Sequence, residues 1–485
     1  MTPLWTAQEA QDATGGTGPT DWSATGVSID TRELQQGDLF VALKDVRDGH
    51  DFVAQALAAG AAAALVTHRP KGVAEDAPLL IVEDVLSGLE ALGRAARARM
   101  HGKVIAVTGS VGKTGTKDML RAVLGAVGHV HAAERSFNNH WGVPLTLARM
   151  PREADFAVIE IGMNAPGEIG PLSRITRPHV GVLTTVAAVH AAAFTDVRGI
   201  AREKADIVAG LELDGAVVLN RDDATYRILR RKALRAGARV VPFGGAGRPP
   251  FLLLSTRLRG ATTCAVARVH GDRLLFKLGT PGRHLAMNAM AVLAAVEAVG
   301  ADVAQAAMAL GQWRAPDGRG ARWRIGRGHA SIDGSVLLID DAYNANPTSM
   351  AAALEVLEAA TPKNGIGRVA KGRRVAFLTD MLELGPEAEA HHAALADLPM
   401  IQKIDRIHCA GPLMRALHEA LPHSKRGEWY EDAEALAKRA GRLLDAGDVA
   451  LVKGSKGSRA ARIVDAILKL GHAVPAQSSA EDEDA

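Results

Sequence analysis

One stretch, VIAVTGSVGKTGTKDML from Val104 to Leu120, limits the architectures open to this chain. An apolar run, a turn holding Gly109 and Gly112, and Gly-Lys-Thr before a helix-forming segment prescribe a strand, a tight loop and a helix N-terminus, in that order. Such a loop aims several backbone N–H groups at one spot, and the helix dipole adds to them, so the spot attracts phosphate. Gly109 and Gly112 leave room for the backbone to approach the anion. Lys113 can reach the β- and γ-phosphates, and the Thr114 hydroxyl can ligate Mg²⁺. The general phosphate-loop pattern GxxxxGK[ST] has a glycine where this chain has Val107, which is expected to end the strand. A plain strand-to-helix turn with an accidental Gly-Lys-Thr is the structural alternative, disfavoured because all four parts occur in order. By itself the loop specifies a nucleoside triphosphate and leaves kinases, motors and ligases open.

The rest of the chain repeats the strand–helix alternation of a mostly parallel sheet. Its 485 residues suggest about three domains, and a hydrophobic content of 47% supplies several cores. Residues 1–100 read as a small α/β unit with strands in GDLFVAL (37–43), near the end of DFVAQALAAGAAAALVT (51–67) and in PLLIVEDV (78–85), then a helix to Met100. Residues 101–316 form a central unit with strand-like runs FAVIEIG (156–162), HVGVLTTVAAVH (179–190), GAVVLN (215–220) and RVVPFG (239–244). Closely spaced strands follow over 250–278, then a strong helix over 285–300. Residues 317–474 read as a second doubly wound, Rossmann-like α/β domain with strands at 336–341, 373–380, 404–411 and 447–455. The acidic end, 475–485, is expected to be a disordered tail.

A net charge of +3 gives no general reason to expect nucleic acid, and the basic helix RILRRKALRAGAR (227–239) reads as a solvated face. The basic run Arg94, Arg97, Arg99, His101 and Lys103 reads likewise as a solvated face and linker. Two distant cysteines, Cys264 and Cys409, argue against a disulfide scaffold and fit a reducing compartment. Neither a signal peptide nor a membrane span is legible, so a cytoplasmic protein is expected.

Several polar residues stand out against the apolar strands. Glu160 lies inside one, where a carboxylate is expensive without a partner; Mg²⁺ and a salt bridge at a strand end are equal readings. His190, ending an apolar run, fits a packed histidine better than a ligand, and Asn138 and Asn139 in SFNNHWGVPLTL (136–147) fit a turn. IDDAYNANPTSM (339–350) and LVKGSKGS (451–458) place two carboxylates, two Asn, Lys453 and Lys456 at the carboxyl ends of strands, the edge where parallel sheets bind ligands. Two such edges in separate domains suggest a site between domains. SIDTRELQQGDLFVAL (28–43) and DGHDF (48–52) suggest only a polar loop at a sheet edge.

Taken together, over nearly the whole chain, these stretches resemble the Mur ligase family. VTGSVGKT resembles that family's TGSxGKT loop, in which Val107 is no defect. SIDTR…GDLFVAL…DGHDF is similar to its uridine-nucleotide domain, FNNHWGVPLTL to its NNxxGxPLTL segment, and DDAYNANPTSM to a segment that sets one branch apart. DMLELG (380–385) with His392, and LVKGS, also match. The resemblance implies an ATP-dependent amide ligase that joins D-alanyl-D-alanine to UDP-N-acetylmuramoyl-tripeptide through an acyl phosphate. It implies two Mg²⁺ ions, no nucleic-acid partner and a monomer. It implies ATP contacts at Gly109, Ser110, Val111, Gly112, Lys113, Thr114, Gly115, Asn288, Arg319, Asp341, Tyr343, Asn344 and Asn346. Substrate contacts follow at Ser28, Asp30, Arg32, His50, Asn138, Asn139, Lys453 and Ser455. Lys113, Glu160, His190 and Lys204 become the catalytic set. Thr114, Glu160, His190 and Lys204, the last as a carbamate, become metal ligands. Taken alone, Lys204 reads as an ordinary exposed helix lysine. The chain departs from the family's TNIGxAHxE at Thr185 and Ala192, yet the spacing from His190 to Lys204 matches. It also departs at Thr379 and Lys456. A folylpolyglutamate synthase shares the loop but not the SIDTR…DGHDF and YNANP segments. A P-loop phosphotransferase would need no third domain with its own ligand edge.

Overall fold

The computed structural model describes residues 3–188, 193–326, 334–368 and 370–476. Among these, three sheets of parallel or largely parallel strands form three α/β units in chain order.

The first unit holds four parallel strands in the order Gly26–Ser28, Asp38–Val41, Ala63–Val66, Leu79–Ile81. The helix Val85–Arg99 leads out of it and packs on the central unit, where a Cβ at Gly93 would lie 3.1 Å from the Pro144 carbonyl. Trp5 Nε1 donates to Ala148 O at 2.9 Å, and Arg149 Nε to Val27 O at 2.6 Å, so the first two units are bolted together. Arg97 takes part in the same joint, contrary to its reading as a solvated charge. It is buried, donates to the carbonyls of Thr176 and Arg177 at 2.9 and 2.8 Å, and pairs with Glu212 at 3.1 Å. Those carbonyls end the helix Ile169–Thr176, where a cation is favoured by the helix dipole. Arg99 lies 3.9 Å over the Trp5 ring. Arg94 stays exposed and pairs with Glu90.

The central sheet runs Val130–Ala132, Phe156–Glu160, Lys103–Thr108, Val180–Leu183, Ala216–Asn220, Arg239–Gly244, then the antiparallel meander Phe251–Arg259, Thr262–Val269, Asp272–Leu278. Alternate residues of Lys103–Thr108 enter two different cores: Ile105 and Val107 on one face, Val104 and Ala106 on the other. That is why the strand reads as an unbroken apolar run. The helix Arg283–Ala298 covers the first face. After Lys103–Thr108 the chain builds outward on one side and then crosses to the other, so the phosphate-loop strand sits where the strand order reverses. In an open α/β sheet that is where a crevice opens at the carboxyl edge. The strand runs through Thr108, so Val107 lies inside it rather than ending it. The strand expected to reach His190 stops at Leu183; His190 itself lies outside the described residues.

The third sheet has the order Arg426–Tyr430, Arg406–Ala410, Arg374–Thr379, Val449–Lys453, Ser335–Asp341, Ala321–Gly326, His472–Pro475. The first five strands are parallel, and Ala321–Gly326 runs antiparallel to both of its neighbours. The last strand takes in Pro475, paired with Trp323, although that residue was expected to open the tail. Gly26–Ser28, Val130–Ala132, Ala321–Gly326, Arg426–Tyr430 and His472–Pro475 were not legible as strands. All are short or half-exposed and carry too few apolar residues to show a period.

Candidate active site

The carboxyl edges of the second and third sheets face each other across a hollow of about 430 Å³. On one wall the helix Lys113–Leu124 begins at Gly112, whose φ of +88° only glycine adopts freely. A Cβ there would lie 2.8 Å from Asn288 Nδ2, so Asn288 packs directly on the loop. The loop is tied to the next strand's exit. Ser110 N donates to Thr185 O at 2.6 Å, Ser110 Oγ to Ala187 O at 3.0 Å, and Thr184 Oγ1 to Val111 O at 2.5 Å. Lys113 Nζ donates to Gly109 O at 2.8 Å.

Glu160 ends the neighbouring strand and is buried. Its oxygens accept from Thr114 Oγ1 at 2.9 Å and Asn138 Nδ2 at 2.7 Å. The strand-end salt bridge is therefore not what satisfies it among the described residues. A buried carboxylate beside a hydroxyl, at a phosphate loop, is a donor set suited to a hard cation. Mg²⁺ takes only one or two carboxylates and fills its sphere with phosphate oxygens and water. That demand is met although, among the described residues, no three His, Cys, Asp or Glu side chains converge.

Lys204 is fully buried, against its reading as an exposed helix lysine. Burial, and then the charge of nearby Lys113, hold its ammonium well below the usual lysine range, with Glu203 opposing. The Glu203 carboxylate is committed elsewhere, accepting from Gly167 N at 2.8 Å and Ile169 N at 2.9 Å. Among the described residues no carboxylate pairs with Lys204.

The third unit supplies the opposite wall. Asp341 and Lys453 are register partners at the ends of adjacent strands, and Lys453 Nζ donates to Asp341 Oδ2 at 2.7 Å and to Asn344 O at 3.0 Å. Asn346 caps the helix Pro347–Ala359, accepting from Ser349 N at 2.9 Å. Asp340, the other half of the carboxylate pair, turns away from the hollow. It accepts from Gly318 N at 2.9 Å, and burial raises its pKa. Gly318 and Gly320 both have positive φ and flank Arg319 where the chain crosses between units. Arg319 lies 3.9 Å over the Tyr343 ring and donates to Ser136 Oγ at 3.0 Å.

Ser136 was missed in the sequence. It sits 3.2 Å from Thr114 Oγ1 and so joins the crossing arginine to the phosphate loop. Its only sequence signal is its place just before Phe137-Asn138-Asn139. Lys117, one turn beyond Lys113, holds that segment by donating to Ala133 O at 2.6 Å. His284 also lines the hollow without having been foreseen.

Ser110, Val111, Gly112, Lys113, Thr114, Gly115, Asn138, Glu160, Asn288, Arg319, Asp341, Tyr343, Asn344, Asn346 and Lys453 thus meet around one space. Asn139 instead accepts from Gly142 N at 2.8 Å and starts the helix Gly142–Ala148. Ser455 is buried behind Lys453, accepting from Leu382 N at 2.9 Å. Ser28, Asp30, Arg32 and His50 gather in the first unit. Asp30 pairs with Arg32 at 2.5 Å, which pulls its carboxyl down to about 2. His50 Nδ1 donates to Asp48 at 2.7 Å while its Nε2 accepts from Thr67 N at 3.0 Å, which makes the ring a brace between loop and strand.

Family models match in the same order as the three units. The Mur ligase family catalytic domain covers residues 23–100, the Mur ligase middle domain 107–296, and the Mur ligase glutamate ligase domain 326–456. Among curated proteins, the UDP-N-acetylmuramoyl-tripeptide--D-alanyl-D-alanine ligase of Bacillus subtilis is 34% identical over 92% of this chain and 93% of its own length. The Escherichia coli ligase of the same name is 34% identical over 93% and 95%. Among solved structures, MurF from Acinetobacter baumannii superposes with a TM-score of 0.80 at 28% identity, covering 96% of this chain and 99% of that one. MurF ligase from Thermotoga maritima in complex with ADP gives 0.74 at 26%, covering 92% and 97%. A mutant of L. casei FPGS, at 15% identity and a TM-score of 0.53 over 78% of this chain and 94% of that one, shares the fold alone. The chain belongs to the Mur ligase family.

Proposed function

We propose that this chain is an ATP-dependent ligase that joins D-alanyl-D-alanine to UDP-N-acetylmuramoyl-tripeptide. The observation that carries the reading is the shared hollow: a phosphate loop on one domain faces Asp341, Lys453 and Arg319 on the other. The relatives named above supply the substrates.

In this reading the loop N–H groups and Lys113 hold the β- and γ-phosphates, and Arg319 and Lys453 bring positive charge from the third domain. Thr114 and Glu160 would hold Mg²⁺, with Lys204 as a carbamate and His190 completing the ligands. The metal supplies charge neutralisation on the phosphates. A tripeptide carboxylate oxygen bonds to the γ-phosphorus as the bond to the bridging β–γ oxygen breaks and ADP leaves. The amine of the dipeptide then attacks the acyl carbon, loses a proton, and phosphate departs. An acyl phosphate hydrolyses in water, so closing the hollow between the two domains protects it. Ser28, Asp30, Arg32 and His50 would receive the uridine nucleotide. The enzyme works as a monomer in the cytoplasm; no helix among the described residues is long and apolar enough to cross a membrane.

Carbamylation of Lys204 needs a neutral amine and carbon dioxide, and a buried lysine with no acid partner among the described residues supplies the first. Incubation with ¹³C-bicarbonate should give a carbamate resonance that Lys204→Met lacks; a spectrum identical for both proteins removes Lys204 from the ligand set. The ligase reading is tested by ADP release and product mass with ATP, tripeptides bearing lysine or meso-diaminopimelate, and D-alanyl-D-alanine. ADP formed equally fast without the dipeptide would end it.

A further inference from the structure

On the central unit, outside the hollow just described, the helix Tyr226–Arg235 carries no acidic residue. Leu229 and Ala233 face the core, while Arg227, Arg230, Arg231, Leu234 and Arg235 are exposed. With Arg221, just past the strand Ala216–Asn220, these side chains line an open hollow of about 810 Å³. Several exposed helical cations elsewhere pair with an acid one turn away: Arg94 with Glu90, Arg415 with Glu419, Lys438 with Glu434. Here the one-turn neighbours, Arg227 with Arg231 and Arg231 with Arg235, carry like charges that repel and weaken the helix. Lys232 alone finds an acid, Asp206. The nearby carboxylates are occupied: Asp222 accepts from Gly245 N and Ala246 N, and Asp223 from Val186 N and Thr225 N. Among the described residues none of the five arginines has a carboxylate partner. The fold gains nothing from this concentration of charge, which sits on a chain whose net charge is only +3.

We infer that this helix is a docking surface for the anionic headgroup layer of a membrane. The charge selects a polyanion, and arginine suits phosphate because its fork can bond two oxygens at once. Leu234 selects among polyanions. It is 49% exposed and lies in the middle of the arginine arc, one turn from both Arg230 and Arg231. An apolar side chain ringed by guanidinium groups gains by entering the headgroup boundary while the arginines meet lipid phosphates. Tyr226, half-buried at the rim, suits the same boundary. A nucleic-acid strand gains nothing from Leu234, and the hollow offers a single ring on which to stack bases. Attachment of this kind is peripheral, reversible and salt-sensitive.

The test is sedimentation of the full chain with vesicles of phosphatidylcholine containing or lacking phosphatidylglycerol. Binding should appear with phosphatidylglycerol, be absent from pure phosphatidylcholine, and be lost at high salt. The variant Arg227→Gln/Arg230→Gln/Arg231→Gln/Arg235→Gln should bind on the order of 10²–10³-fold more weakly. Its melting temperature should not fall, since like-charge repulsion is relieved. Leu234→Ser should weaken vesicle binding while retaining all the charges. The inference is overturned by equal binding to both vesicle types or by undiminished binding of the quadruple variant. It is also overturned if duplex DNA binds more tightly than vesicles and Leu234→Ser leaves both unchanged; the surface then reads nucleic acid. If the quadruple variant unfolds, Arg227→Gln/Arg231→Gln and Arg230→Gln/Arg235→Gln each remove half the charge and must each give an intermediate loss.

Discussion

Replacing Gly109 by alanine measures how tightly the phosphate loop is pinned to the strand beside it. Gly109 has φ +150°, and a Cβ there would lie 2.0 Å from Thr184 Oγ1 and 3.2 Å from Thr185 N. The Thr184 hydroxyl closes the loop through its 2.5 Å bond to Val111 O. Rotating it out of the way therefore breaks a bond on which the loop depends. The backbone conformation costs an alanine about 1–3 kcal/mol and the lost bond about 1 kcal/mol, together roughly 2–4 kcal/mol. Should the loop instead move bodily, a displacement of about 1 Å at the phosphates lowers the rate ~10²-fold. Both routes reduce ADP release in a coupled assay; the first also lowers the melting temperature. Thr184→Ala separates the contact from the backbone term. In Gly109→Ala/Thr184→Ala the overlap is gone, so the double variant should be less impaired than the sum of the singles by about 1 kcal/mol or more. Gly109→Ala within twofold of the parent in kcat/KM, or strict additivity of the pair, refutes the reasoning.

Glu160→Gln keeps the contacts with Thr114 and Asn138 within reach but removes the charge, so half-saturating Mg²⁺ for ADP release should rise on the order of 10–100-fold with little change in melting temperature. His408 is buried against Phe377, and burial holds its pKa down to about 4. The unfolded chain takes up that proton below about pH 6.5. Stability should therefore fall as pH drops from there to 4, by on the order of 3 kcal/mol if this group acts alone. Urea midpoints against pH should show a shallower fall for His408→Gln. Cys264 is exposed, whereas Cys409 is buried and burial pushes its thiol up. A chromogenic disulfide reagent should therefore count one thiol in the native protein and two in guanidinium; fast reaction of both would show that the core of the third unit opens readily.

Much of this molecule was legible before folding. The strand, loop and helix of Lys103–Leu124 follow from covalently adjacent residues, as do the apolar runs ending at Glu160, Asp341 and Lys453. In each of these the period or the glycine spacing is itself the structural requirement. Other parts depend on elements far apart in the chain. Arg97 looks like any helix-surface arginine until the helix Ile169–Thr176 brings its carbonyl ends to it. Lys204 looks exposed until the helices packed around Val197–Lys204 bury it. Ser136 has no pattern of its own; its role appears only when Arg319, 183 residues later, reaches back across the domain boundary.

The sequence alone determined the phosphate loop and the polar strand ends at Glu160, Asp341 and Lys453, because motif spacing, strand period and residue type act over a few bonds. Only the tertiary structure decided how they meet. The reversal of strand order beside Lys103–Thr108 opens the crevice, and the crossing at Gly318–Gly320 turns a second sheet edge towards it. It also decided which of two adjacent aspartates serves: Asp341 faces the hollow, and Asp340, one residue away on the other face of the strand, holds the crossing. A strand puts neighbours on opposite faces, and only the packed domains say which face is which.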